Sequence, residues 1–129
     1  ENKEIELDNI IDFINKNKCD DKDCINIVEG CGGFFSPIAN NKLTSDLAVE
    51  LNLPIILVVK NTLGCINHTL LSIQAIEKLG LKIKFIILND INKKTILDNF
   101  NELSNFTNIP VFRLSYNEEI NSKIINYIN

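Results

Sequence analysis

Pro54-Ile55-Ile56-Leu57-Val58-Val59 is an unbroken apolar run that ends in a polar turn and passes at once into Leu63-Gly64-Cys65-Ile66-Asn67-His68. A branched run without polar alternation is the pattern of a strand in a parallel sheet, covered by helices on each face. The residues behind it agree: Leu70, Leu71, Ile73, Ile76 and Leu79 recur at helical spacing over 67–79, and Gly80 stands where a C-terminal glycine stops a helix. Residues 83–88 then supply the next strand.

Working outward, Ile5, Ile10, Ile11, Phe13 and Ile14 form an amphipathic helical pattern that the Asn- and Lys-rich stretch to Lys18 closes. Residues 24–28 make a short β-rich run, and Thr44 or Ser45 can cap a helix through Leu51. Downstream, residues 93–106 carry Ile96, Leu97, Phe100 and Leu103 on one helical face, 110–114 read as a last strand, and 118–128 as a closing helix. The order α-β-α-β-α-β-α-β-α predicts an α/β fold, a parallel sheet with helices on both faces, as a single domain over 1–129. In such sheets ligands gather at the carboxyl ends of the strands, where Glu29, the loop before Asn67, and Asn89 are all expected.

The 129 residues suffice for one core, and 45% hydrophobic with 23% charged residues is ordinary globular composition. A net charge of −4 and the lack of a basic stripe argue against nucleic acid as a partner. No apolar stretch approaches the roughly 20 residues of a membrane helix, and the N-terminus has no secretory pattern, which together predict a cytoplasmic protein. Cys19, Cys24, Cys31 and Cys65 match no paired zinc spacing and have only His68 to supplement them, so they are expected as reduced fillers or turn residues.

Three places carry chemistry. Val28-Glu29-Gly30-Cys31-Gly32-Gly33 sets a carboxylate before glycines, an arrangement that can reach a divalent cation while the backbone approaches phosphates; a local turn with a paired Glu29 accounts for the same residues. Gly64-Cys65-Ile66-Asn67 opens a helix whose first N–H groups seat an anion, or else Asn67 is a plain N-cap and His68 a surface residue. Asn89 offers a donor and an acceptor suited to a base edge, against an Asx turn at Asn89-Asp90; Leu114-Ser115-Tyr116 places an aromatic on the same edge, or Tyr116 covers the core.

Together, Val28-Glu29-Gly30-x-Gly32-Gly33 with Pro37, then Leu63-Gly64-Cys65-Ile66-Asn67-His68, then Asn89-Asp90, resemble the dethiobiotin synthetase family from about Cys24 to Tyr116. The resemblance implies a P-loop NTPase-like, Rossmann-like three-layer fold, here incomplete, and a homodimeric enzyme of biotin synthesis. Its substrates would be 7,8-diaminononanoate, CO2 and MgATP, joined through a carbamate that ATP activates and the second amine attacks to close the ureido ring. By position, Glu29 is similar to the magnesium-binding glutamate, and Gly30, Gly32 and Gly33 to backbone near phosphates and substrate. Leu63, Gly64, Cys65, Ile66 and Asn67 resemble the segment that holds the diamino acid's carboxylate across the dimer, with Cys65 contributing backbone and not sulfur. Asn89 resembles the adenine-reading asparagine, flanked by Leu114, Ser115 and Tyr116.

The chain departs from that family in three ways. It contains no G-x-x-x-x-G-K-[ST] loop and starts at Glu1 rather than methionine, so it is expected to be the C-terminal portion of a longer polypeptide and inactive alone. Ser115 replaces a common proline, and Lys60 replaces a small residue beside the carboxylate seat. The alternatives are a non-catalytic dimerisation or binding remnant, and a related P-loop amidoligase of the cobyrinic-acid type.

Overall fold

The structure, a computed structural model, describes residues 4–93, 98–120 and 122–128. It comprises two units, Glu1–Leu53 and Pro54–Asn129, each with its own internal packing.

In the first unit, helix α1 (Leu7–Lys16) buries Leu7, and the Asn17 side chain closes its end by donating to the Phe13 carbonyl at 2.7 Å. The strand expected over 24–28 does not form, and Ile27 is 70% exposed. Its backbone is committed to a local loop instead. Cys19 and Cys24 are joined by a disulfide, and the Asn26 amide both accepts from the Cys19 N–H and donates to the Cys19 carbonyl, each at 2.9 Å. This corrects the expectation of four reduced thiols: only Cys31, exposed, and Cys65, buried, are free. The loop's own turn brings the two sulfurs together over a separation of five residues.

A small antiparallel pair follows, β1 (Pro37–Ala39) and β2 (Lys42–Leu43), turned through Asn41 at φ 51°. Helix α2 (Thr44–Leu51) comes next, with Leu43 rather than Thr44 or Ser45 at the cap position. The Asp46 carboxylate, one turn in, accepts the Leu43 N–H at 2.7 Å and does the capping that a hydroxyl was expected to do. Asn52, in the left-handed region at φ 46°, ends the helix.

The second unit is the predicted α/β arrangement. Strands β3 (Ile55–Lys60), β4 (Ile83–Asn89) and β5 (Val111–Leu114) form a parallel sheet in that order, linked by α3 (Cys65–Lys78) and α4 (Asn99–Asn105), and α5 (Ser122–Ile128) closes the chain. Ile96 and Leu97, placed on the fourth helix from sequence, lie outside the described residues. Alternation along β4 sorts the core: Ile86 and Leu88 join Val59, Cys65, Ile73 and Leu103 under α3 and α4, whereas Phe85 and Ile87 meet Phe112 and Ile124 under α5. Aromatic edges lock the second face, with Phe112 and Tyr127 ring centroids 4.9 Å apart. Helices therefore cover both faces of the sheet, though β3 is not buried on both. Val58 is 62% exposed, because the cluster under α5 reaches only Ile56 of that strand.

Candidate nucleotide and substrate site

Asn89 is the last residue of the central strand, in register with Lys60 of β3 on one side and Leu114 of β5 on the other. Two backbone bonds fix it there: the Asn61 N–H donates to the Asn89 carbonyl, and the Asp90 N–H donates to the Leu114 carbonyl, both at 2.8 Å. Three candidate positions at the carboxyl end of the sheet, Asn89, Leu114 and the loop after β3, are thus brought together within this unit.

The next residue does something the sequence reading did not anticipate. Asp90 is 5% exposed, and its carboxylate accepts from the Asn61 amide at 2.5 Å and from Arg113 Nε and Nη2 at 2.9 and 2.8 Å. Asn61, also buried, accepts in turn from Asn99 Nδ2 at 2.7 Å, and Asn99 reaches the Thr62 carbonyl at 3.4 Å. A carboxylate removed from water needs such donors, and a guanidinium with an amide supplies both charge and directional bonds. The Asp90 carboxylate is thus spent across the strands. One signal was available in the sequence, since Arg113 is the only arginine in a lysine-rich chain and stands on a predicted strand.

Beyond β5, the Leu114 side chain packs into the Phe85 cluster, leaving its main chain to face the strand ends. The Ser115 N–H donates to the Glu118 carboxylate at 2.8 Å and the Ser115 carbonyl accepts from the Glu118 N–H at 2.9 Å, closing a turn on which Tyr116 stands exposed.

Helix α3 begins two residues earlier than the apolar periodicity suggested. Gly64, at φ +86°, is its N-cap, so Asn67 sits inside the first turn and is not the cap. The Cys65 N–H donates to the Thr62 carbonyl at 3.1 Å and the His68 N–H to the Gly64 carbonyl at 3.3 Å; between them lie the N–H groups of Ile66 and Asn67 at the helix start. The Cys65 side chain is buried in the core and its backbone is engaged locally, the carbonyl accepting from Thr69 Oγ1 at 2.7 Å, so the helix-start N–H groups that bear on a ligand are those of Ile66 and Asn67. Leu63 is 90% exposed. His68 is also exposed.

Glu29, Gly30, Gly32 and Gly33 belong to the first unit, in the irregular stretch between α1 and β1, and Glu29 is exposed rather than mounted on a strand end. The glycines have local causes. A side chain at Gly30 would meet Thr44 Cγ2 at 2.7 Å; Gly32 adopts φ +82°; and the Gly33 N–H donates to Ser36 Oγ at 2.7 Å. Among the described residues no three His, Cys, Asp or Glu side chains cluster as a metal cage. Magnesium does not ask for one, because it is commonly held by one or two carboxylates together with phosphate oxygens and water, and a single exposed glutamate before an open turn fits that donor set. In the second unit a concavity of about 640 Å³, lined by Ile83, Pro110, Ile73 and Phe106 among others, lies at the amino ends of β4 and β5, the opposite end of the sheet from Asn89 and Leu114.

A parallel α/β sheet with its polar groups at the carboxyl strand ends defines the broad class of doubly covered α/β proteins that bind ligands at that edge. The family model described as "AAA domain" matches residues 1–123. The chain is 40% identical over 92 residues to the ATP-dependent dethiobiotin synthetase BioD of Vesicomyosocius okutanii, covering 71% of this chain and 42% of that protein. It is 38% identical over 125 residues to the same-named protein of Clostridium botulinum (strain Eklund 17B), covering 92% and 54%. The one from Clostridium perfringens is 44% identical over 79 residues, covering 59% and 35%. The chain belongs to the AAA domain family, and within it to the dethiobiotin synthetases. It spans about half, or less, of the length of these relatives. Among the described residues no helix is long and apolar enough to cross a membrane.

Proposed function

We propose that the gene product carrying this chain is a cytoplasmic, ATP- and Mg2+-dependent cyclo-ligase of biotin biosynthesis that forms the ureido ring of dethiobiotin from 7,8-diaminononanoate and CO2. The observation that carries the reading is Asn89 at the end of the central strand, between Lys60 and Leu114, in a chain whose relatives are named ATP-dependent dethiobiotin synthetases. Bound MgATP supplies the phosphoryl group that makes a substrate carbamate reactive toward the second amine.

The chain's own residues bind and orient. Asn89 reads the base edge through its amide, with Ser115 and Tyr116 beside the base and Leu114 contributing main chain. Glu29 is the metal ligand, and Gly30 and Gly32 let the backbone lie close to phosphates, with Gly32 and Gly33 beside the diamino substrate. Gly64 to Asn67 seat its carboxylate, where the helix start offers N–H groups and favours negative charge; Lys60, exposed at the end of β3, adds a cation on the same side of the sheet. The protein acts as a homodimer in which this seat serves the neighbouring copy. A leucine left 90% exposed at position 63, next to the seat, supports that arrangement. The test is to supply the purified gene product with diaminononanoate, bicarbonate, magnesium and ATP and assay dethiobiotin; formation of ADP without dethiobiotin would refute the assignment.

A further inference from the structure

Asp90, Arg113, Asn61 and Asn99 form one connected set of hydrogen bonds that takes a residue from the end of β3, the end of β4, the body of β5 and the start of α4. Asn89 lies at its centre in the chain, bonded through its carbonyl to Asn61 and followed directly by Asp90. A buried acid–guanidinium pair contributes little net stability compared with apolar packing of the same volume, so its physical value is directional: it admits one relative placement of the strands it joins. An amide discriminates between bases only when held to within a few tenths of an ångström and some tens of degrees, since the competing bases differ by swapping a donor for an acceptor at the same place.

We infer that the Asp90–Arg113 pair, backed by Asn61 and Asn99, is a positioning device that fixes the end of β4 so that the Asn89 amide selects the base of the nucleotide. The inference rests on the proposed reading of Asn89 as the base-contacting residue. Arg113 is the member best suited to a test, because its side chain is 40% exposed and its replacement opens no cavity in the core. Asn99 also reaches the Thr62 carbonyl, the acceptor for the first N–H of α3, but neither of these contacts involves Arg113, so a change at Arg113 bears on the base side of the strand ends.

The experiment is steady-state kinetics on the complete gene product with Arg113→Met, Arg113→Lys, Asp90→Asn, Asn89→Ala and the Asn89→Ala/Arg113→Met double variant, using ATP and GTP as alternative substrates, with thermal melting to establish folding. For Arg113→Met, KM for ATP rises about tenfold and the preference for ATP over GTP falls, while KM for the diamino substrate stays within about twofold. Arg113→Lys recovers part of the preference, and on the Asn89→Ala background Arg113→Met has no further effect on it, because both changes act through one amide. Should Asp90→Asn and Arg113→Met fold and keep the full ATP preference while Asn89→Ala loses it, the positioning role is wrong and the base-contact reading stands. An Asn89→Ala protein with unaltered nucleotide constants overturns that reading and this inference together.

Discussion

The Asn61 amide and the Asp90 carboxylate meet at 2.5 Å across the ends of two neighbouring parallel strands, and that contact ties the loop leading into α3 to the residue after Asn89. It turns a sheet edge into a braced surface. Because Asp90 is buried and Arg113 completes its charge balance, removing the acid leaves a guanidinium and an amide with lost partners.

Asp90→Ala is therefore expected to destabilise the protein by about 2 kcal/mol, the partial exposure of Arg113 keeping the loss below that of a fully buried pair. Asp90→Asn, which keeps the shape and one acceptor, costs less. Urea unfolding followed by circular dichroism distinguishes the two.

Phe85→Ala tests the packing beneath α5. Phe85 is fully buried and touches both Phe112 and Tyr127 edge to face, so truncation costs about 3–5 kcal/mol. Val58→Thr on the exposed side of β3 changes stability by less than about 0.5 kcal/mol, measured in the same assay.

Gly64→Ala places a side chain at φ +86°, with no neighbouring atom in its way, so the cost is conformational and about 1 kcal/mol. The helix start shifts to relieve it. KM for the diamino substrate is expected to rise while KM for ATP is unchanged, which initial-rate measurements with each substrate varied in turn will show.

Thiol chemistry checks the first unit. With Cys19 and Cys24 paired and Cys65 in the core, a maleimide reagent should modify the folded, non-reduced protein rapidly at Cys31 alone. Reduction first should add Cys19 and Cys24, read by mass spectrometry; rapid labelling of three sites without reductant would contradict the disulfide.

The second unit was legible because its signals were redundant. The 54–59 run, the 3.6-residue pattern behind it and Gly80 each pointed to the same strand–helix–strand unit, and observed strand bounds differ from expected ones by no more than one residue. The first unit was not, since Ile25, Ile27 and Val28 read as a strand on composition alone, while the Cys19–Cys24 link and the Asn26 clamp act through contacts that composition does not encode. At the candidate site, Asn89, Leu114 and Gly64 were placed at the expected sheet edge. Asn61, Asp90, Asn99 and Arg113 were missed because their role exists only across strands: each reads locally as a turn, cap or surface residue, and only the register of β3, β4 and β5 makes them neighbours.

Glu29→Gln gives the sharpest view of the proposed chemistry. The residue is exposed, so its amide variant should melt within about 1 °C of the parent, whereas loss of a metal ligand should lower turnover by at least about a hundredfold and raise the magnesium concentration needed for half-maximal rate.

The decisive measurement is isotopic: the gene product is incubated with 7,8-diaminononanoate, 13C-bicarbonate, magnesium and ATP, and dethiobiotin is followed by mass spectrometry against ADP release. One labelled carbon per dethiobiotin, formed in equal amount to ADP and abolished together with it in Glu29→Gln, is the predicted result. ATP hydrolysis without labelled dethiobiotin, or full activity in the Glu29→Gln protein, would contradict it.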